Sequence, residues 1–360
     1  MGRHSLKVAL ALPYASFVEV NMCKAFEKAG MDCCLVTSQR ERLDYRAKMG
    51  SIEFERFEET IELPCIMDNH LLSAYAPFPL VPSMFDVVKK LDVDIVSVSE
   101  HISSATWMFA VRKKKWKTVL TEHGNCWKSP RDKIYNLLTK KVLIPRLDGF
   151  VGIALKSKAF LESLGARRVK VIPNPIDCNL FRPIVRYSER ENIVLFAGRV
   201  DTSRRLHLLI KAMQNVSRKV DNVKLWIVGA RGNLSEYLKK EKNIGYLGAK
   251  AHVEMPMYYN KAKVLVNTVA GAGCGCITSE ALACGTPIVG IEDLDFPFAW
   301  KNGECGYLTK NNSENLADAI IKLLLDEKQV HKNCRGIALR EFSYEVVGKK
   351  YQEVFEKIEN

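Results

Sequence analysis

Gly271-Ala-Gly-Cys-Gly-Cys-Ile-Thr-Ser-Glu-Ala-Leu-Ala-Cys-Gly-Thr-Pro287 is the stretch on which the reading of this chain turns. It follows Ala262-Lys-Val-Leu-Val-Asn267, an apolar run of buried-strand character. Glycines alternate at Gly271, Gly273 and Gly275, and a helix-forming segment, Ser279 to Ala283, comes next. A strand, a glycine turn and a helix in that order bring backbone N–H groups up to an anion at the helix N-terminus, where the macrodipole favours negative charge. Glu280 falls about one turn inside that helix. A carboxylate there repels a bare phosphate, so its natural partner is a hydroxyl such as that of a ribose. The turn and the carboxylate together suggest a nucleotide carrying a sugar.

Outward from this stretch, apolar β-branched runs alternate with segments of helical period, the pattern of an α/β protein with parallel sheets. Strands are expected at Val8–Leu12, Asp32–Thr37, Ile95–Ser99, Thr118–Thr121, Gly149–Gly152 and Val169–Ile172. A second set is expected at Ile193–Ala197, Val223–Val228, Ile244–Tyr246, Val264–Asn267 and Pro287–Gly290. Helical segments such as Glu19–Gly30 are expected between the first strands, and further helices at Leu206–Val216, Leu234–Lys240, Met255–Ala262 and Leu316–Leu325, with a last amphipathic helix from Ser343 to Ile358. Pro173, Pro175 and Pro183 stiffen the chain between the two sets and read as an interdomain linker.

The 360 residues suffice for two domains with separate cores, and 47% apolar and 26% charged residues are ordinary for a globular protein. No apolar run reaches the length of a membrane span, and Met1 to Lys7 leads straight into the first strand without a leader-type segment. Eleven cysteines without CxxC pairs read as reduced thiols rather than disulfides or zinc ligands, so a cytoplasmic location is expected. The net charge of +13 is uneven. Between residues 101 and 146 eleven basic residues are opposed only by Glu122 and Asp132. Residues 112–146 interleave these cations with Trp116, Trp127, Tyr135, Leu137 and Leu138. A solvated face is the default reading of such a run; the aromatics suggest docking on an anionic membrane surface. There is no recognised nucleic-acid-binding motif, and nucleic acid is not expected as a partner.

A second candidate turn, Gly198-Arg-Val-Asp-Thr-Ser-Arg-Arg205, follows the first strand of the second unit, the place where α/β sheets make ligand contacts. Arg199 and Arg204 there could neutralise a diphosphate at two points. With Val171-Ile-Pro-Asn-Pro-Ile-Asp177, Phe181-Arg-Pro183, Phe196-Ala-Gly-Arg199, Leu208-Leu-Ile-Lys-Ala212, the Gly273-x-Gly275 to Pro287 stretch and Asn302-Gly-Glu-Cys-Gly306, nearly the whole chain resembles the GT-B glycosyltransferases of family 4, retaining enzymes that use nucleotide sugars.

The resemblance implies an α/β GT-B fold, two Rossmann-like domains facing each other across a cleft. Residues 1–177 would form the N-terminal, acceptor-side domain, 178–341 the nucleotide-sugar-binding domain, and 342–360 a C-terminal helix packing back on the first. It implies that Arg199 and Arg204 grip the donor diphosphate, with Arg205 as a second candidate because the family has Lys then Gly where this chain has Arg204 and Arg205. The amides of Gly275, Cys276 and Ile277 would complete the phosphate cradle. Glu280 would bind the ribose, and Gly248 and Ala249 would touch the base. Ala272, Gly273 and Cys274 fall where the family contacts the transferred hexose; the family carries a carboxylate at the position of Ala272.

His123, in Thr118-Val-Leu-Thr-Glu-His-Gly124, would stand near the reacting centre, while His101 is left structural. The catalytic set is then His123, Arg199 and Arg204. The resemblance further implies that basic side chains and a helix dipole replace a divalent ion, so neither metal nor cofactor is expected, and, on family frequency, that the donor is a UDP-sugar. The expected reaction moves a hexose to a glycan or lipid-linked acceptor. A nucleotide-sugar-binding protein or an epimerase on the same fold is the alternative. Asp92-Val-Asp94 and Asp293-Leu-Asp295 resemble metal-binding DxD pairs, but the first precedes its strand and the second has no family counterpart.

Overall fold

The computed structural model describes all residues except 1–4, 14, 39–56, 65–80, 113, 125–129, 201–203, 231–242, 270–274, 326–327 and 360. The chain groups into two compact units. The described residues of 5–38, 57–175 and 344–359 form one, and those of 176–343 form the other.

In the first unit the described elements are β1 (Lys7–Ala11), α1 (Phe17–Lys28), β2 (Asp32–Ser38), β3 (Thr60–Leu63), α2 (Met84–Lys90), β4 (Ile95–Ser99), α3 (Ser104–Val111), β5 (Lys117–Glu122), α4 (Pro130–Leu138), β6 (Gly149–Gly152), α5 (Leu155–Ser163) and β7 (Lys170–Val171). All pairings are parallel and the strand order is β3-β2-β1-β4-β5-β6-β7. Helices cover both faces, so the strands are continuously apolar: Val8 to Ala11 are all buried. Helix α1 begins at a capping box, with Ser16 Oγ accepting from Val18 N and Glu19 Oε2 accepting from Ser16 N at 2.7 Å. Asp94 accepts from Lys7 N at 2.8 Å, which ties one DxD pair to the amino-terminal end of the sheet.

The second unit runs β8 (Ile193–Ala197), α6 (Leu206–Val216), β9 (Lys224–Val228), β10 (Ile244–Gly248), α7 (Met255–Lys261), β11 (Val264–Asn267), α8 (Gly275–Ala283), β12 (Ile288–Ile291), β13 (Gly306–Thr309), α9 (Ser313–Leu325) and α10 (His331–Phe342). Its parallel sheet has the order β10-β9-β8-β11-β12-β13. The order reverses between β8 and β11, which opens a crevice at their carboxyl ends, the usual ligand position in such sheets. The two candidate turns, after β8 and after β11, flank that point.

The last helix, α11 (Tyr344–Glu359), belongs to the first unit and packs on α1. Phe26 meets Tyr351 and Phe355 edge-on at 5.2 and 5.5 Å. Gly348 lets the two backbones close up, because a Cβ there would stand 1.9 Å from the Ala25 carbonyl oxygen. Tyr344 Oη donates to Asn21 Oδ1 at 2.6 Å, and Tyr351 Oη lies 3.1 Å from Thr121 Oγ1.

Sequence periodicity missed β3, β13 and α10. The two strands are four residues each, and Thr-Ile-Glu-Leu at a sheet edge carries a charge where an interior strand would not. Helix α8 starts at Gly275, four residues before the expected Ser279: the β-branched Ile277 and Thr278 lower its helical signal, yet Thr278 to Ala283 are buried and packing decides. Gly275, Cys276 and Ile277 are therefore its first turn rather than part of the preceding loop. The expected helix Leu234–Lys240 lies outside the described residues.

Candidate active site

The turn after β8 is shaped by two glycines. Gly198 has φ +124° and donates its N–H to Val228 O at 2.9 Å. Gly229, at the end of β9, has φ +155° and donates to Gly248 O at 2.9 Å. The chain leaves Gly198 with Arg199 exposed, and Val200 N bonds to Ala230 O at 3.1 Å. The carbonyl of Arg204 accepts from the Thr268 hydroxyl, which links this turn to the exit of β11. Arg205 takes a left-handed conformation, φ 49° and ψ 35°, immediately before α6. That is the backbone a glycine adopts freely and other residues adopt at a cost. The Arg205 guanidinium reaches Asp293 at 3.4 Å.

At the exit of β11, Asn267 Nδ2 donates to Thr278 Oγ1 at 3.1 Å and its Oδ1 accepts from Val269 N at 3.3 Å, joining the strand end to α8. Helix α8 opens at Gly275 (φ +66°), Cys276 and Ile277, the helix end toward which backbone N–H groups point. Gly248 (φ +73°) and the exposed Ala249 end β10 on the same, carboxyl, end of the sheet. Ala272, Gly273 and Cys274 lie outside the described residues.

Glu280 is buried, with a side chain 3% exposed, and each carboxylate oxygen has its own donor. His252 Nε2 is 2.7 Å from Oε1, and Tyr259 Oη donates to Oε2 at 2.8 Å. Burial, and then the Glu280 charge, hold the Tyr259 phenol well above its ordinary value, so it remains a donor. Neither partner was legible beforehand, because Tyr259 reaches Glu280 from α7 and His252 from the 3₁₀ turn just before it, both only through packing against α8.

Below α8, Arg190 is buried and lacks a carboxylate partner among the bonds that hold it. It donates to Cys284 O and Thr286 Oγ1, each at 2.7 Å, and to Ala262 O at 3.2 Å. Burial lowers its affinity for the proton, and it sits at the carboxyl end of α8, where the helix dipole favours a cation.

In the first unit, His123 follows β5 directly. Desolvation pulls its pKa below the ordinary histidine value, opposed by the charges of Glu19 and Glu122. Glu122 is fully buried. Burial pushes its carboxyl up, but the hydrogen bond and charge of His101 outweigh that and leave it below the ordinary value. His101 Nδ1 is 2.7 Å from Glu122 Oε2, which also accepts from His101 N at 3.1 Å. Glu100, beside them, has φ 67°. Among the described residues Glu100, His101 and Glu122 form the one trio of ligand-type side chains within 4.8 Å. With His101 engaged by Glu122, the trio braces the ends of β4 and β5 beneath His123.

The basic segment divides. Trp116 belongs to the core, against Phe85 and Phe109 at 5.4 and 6.1 Å, and Lys114 is tied to Thr118 and Asp148 at 2.6 and 3.2 Å. Both leave the expected docking face. Exposed Leu137, Leu138 and Tyr135 remain beside exposed Lys133, Lys140 and Lys141 on α4 and the π-helical turn after it. Lys128 and Trp127 lie outside the described residues. No helix among the described residues is long and apolar enough to cross a membrane.

The comparisons bear on the family and the fold. The family described as "Glycosyltransferase Family 4" matches residues 18–180, and "Glycosyl transferases group 1" matches residues 179–337. The chain is 28% identical over 285 residues to a phosphatidyl-myo-inositol mannosyltransferase of Mycobacterium leprae, covering 74% of each chain. It is 30% identical over 190 residues to an N-acetyl-D-galactosaminyltransferase of Campylobacter jejuni named for an undecaprenol-linked substrate, covering 51% of this chain and 47% of that one. Among solved structures it is similar to sucrose-phosphate synthase from Thermosynechococcus elongatus, with a TM-score of 0.74, 18% identity and 99% of both chains covered. It is also similar to Anabaena HepE in complex with UDP and glucose, with a TM-score of 0.72, 16% identity, and 98% of this chain and 100% of that one covered. With two-unit parallel α/β architecture, matched family profiles and GT-B neighbours in accord, this chain belongs to the GT-B glycosyltransferases of family 4.

Proposed function

We propose that this glycosyltransferase moves a hexose from a nucleotide-diphospho-sugar, with UDP as the nucleotide, to a glycan or lipid-linked acceptor, with retention and without a metal. The observation that carries the donor assignment is the convergence of three features on the carboxyl end of one sheet. These are the Arg199–Arg205 turn, the N-terminus of α8 and the buried Glu280. Arg199, Arg204 and the α8 amides stabilise the diphosphate as it takes up negative charge while the sugar C1–O bond breaks. The acceptor hydroxyl forms the new C1–O bond on the face the diphosphate leaves, and its proton passes to a departing phosphate oxygen. His123, directly after β5 in the N-terminal unit assigned to the acceptor, is the catalytic candidate that unit contributes.

The names of relatives acting on phosphatidyl-inositol and on undecaprenol-linked glycans support a lipid-linked acceptor. Exposed leucines among lysines at 133–141 support a peripheral position on the inner face of the cell membrane, each cation near anionic headgroups adding about 1 kcal/mol. Vesicles containing anionic lipid should sediment the protein at low salt, and failure to do so removes this part of the proposal. Ala272 in place of the family's carboxylate favours a second reading, a nucleotide-sugar-binding protein or epimerase. A thermal-shift panel of UDP-, GDP- and ADP-sugars, repeated on Arg199→Ala, tests the donor site. Product analysis by NMR, with and without a glycan or lipid-linked acceptor, separates transfer from epimerisation and from binding alone. An α-configured product from an α-configured donor is the expected result.

A further inference from the structure

We infer that His252 and Tyr259 are positioning residues for the nucleotide ribose: they hold the Glu280 carboxylate so that one acceptor site on each oxygen faces a vicinal diol. This rests on Glu280 being the ribose carboxylate proposed above. A carboxylate offers about four acceptor sites, two on each oxygen. His252 occupies one at Oε1 and Tyr259 one at Oε2, at 2.7 and 2.8 Å. Among the described residues, what remains is one site per oxygen, which is the complement of two adjacent hydroxyls that each donate once. A diol lacking one hydroxyl leaves a site unmet on a side chain that is almost wholly enclosed.

Both donors are themselves held. Tyr259 is fully buried in the core under α7 and α8. His252 opens a 3₁₀ turn, His252–Glu254, whose entry is secured by Ala251 N donating to Glu254 Oε2 at 2.8 Å. The imidazole lies against the buried Phe181 ring, 5.1 Å between centroids, and Phe181 also meets Tyr259 at 6.1 Å. Two rigid donors on separate oxygens leave the carboxylate no freedom to rotate about its terminal torsion, which is otherwise broad.

The test is binding, read by calorimetry with UDP, GDP and ADP, then with the 2′-deoxy form of whichever binds tightest. The wild type should prefer the ribonucleotide by about tenfold, the factor expected of one hydrogen bond to a charged group. His252→Leu and Tyr259→Phe should each weaken the ribonucleotide by about five- to tenfold and the deoxy form hardly at all, so the preference collapses. His252→Gln, whose amide nitrogen can stand near the Nε2 position, should restore most of it. Glu280→Gln separates the two levels of the argument. If the wild type has no ribose preference, or Glu280→Gln keeps it, the ribose assignment itself fails. If Glu280→Gln removes the preference while His252→Leu and Tyr259→Phe retain it, the positioning role is overturned. A thermal melt of each variant confirms that the compared proteins are folded.

Discussion

A Cβ placed on Gly229 would stand 1.7 Å from the carbonyl oxygen of Gly198. The end of β9 and the turn that carries Arg199 therefore meet backbone to backbone. Gly229→Ala must displace that turn, and its φ of +155° adds strain. A loss of about 3 kcal/mol in stability is expected, the sum of overpacking and backbone terms. Gly165→Ala is the contrast, because φ is +96° there but nothing stands within 4 Å, so about 1 kcal/mol of strain is expected. Chemical denaturation of both variants checks the ranking, and the donor-binding deficit should accompany only the first.

Arg205 tests the meaning of a left-handed residue at the mouth of the sheet. Arg205→Gly keeps the φ of 49° without Cβ strain and gives up a half-exposed pair with Asp293, worth under about 1 kcal/mol. Its thermal midpoint should equal or exceed that of the wild type. Arg205→Val should melt lower, by about 1–2 kcal/mol, because a β-branched residue resists this conformation. A Gly variant markedly less stable than the Val variant would contradict the backbone explanation.

Arg190 ties the carboxyl end of α8 to the carboxyl end of α7 through carbonyls and one hydroxyl rather than through an acid. Arg190→Met leaves those buried acceptors unmet and should lower stability by about 3 kcal/mol or more. Arg190→Lys should recover little, since an ammonium cannot span Cys284 O, Thr286 Oγ1 and Ala262 O as the planar fork does. Urea unfolding curves with matched slopes would measure both.

Acid sensitivity should carry a histidine component. The His123 pKa is depressed in the folded state, so the unfolded chain binds the extra proton first. The stability this contributes is complete above about pH 6.5 and is lost as pH falls toward the folded value. Glu122, also depressed, adds a further loss at lower pH, as pH falls below the ordinary carboxylate range toward its folded value. Stability measured between pH 7.5 and 5 should fall less steeply in His123→Asn than in the wild type; equal slopes would refute the assignment.

Much of the fold was readable from short-range pattern. Strands such as Ile193–Ala197, Val264–Asn267 and Gly149–Gly152 stand where apolar runs put them, because a strand buried on both faces must be apolar throughout. The turn out of β8 at Gly198 and Arg199 was legible because glycine before a helix has few other uses, whereas the glycine run before α8 lies outside the described residues. The partners of Glu280 were not. His252 and Tyr259 lie 28 and 21 residues away in sequence and become donors only when α7 and the 3₁₀ turn before it pack on α8.

Burial of Trp116 among Phe85 and Phe109, the anchoring of Lys114 by Asp148, and the left-handed backbone at Arg205 were equally invisible. Local composition determines which segments can be strands or helices and which turns can approach an anion. Which polar groups then lose water, and must find each other, depends on contacts between distant segments. Only the folded chain decides those.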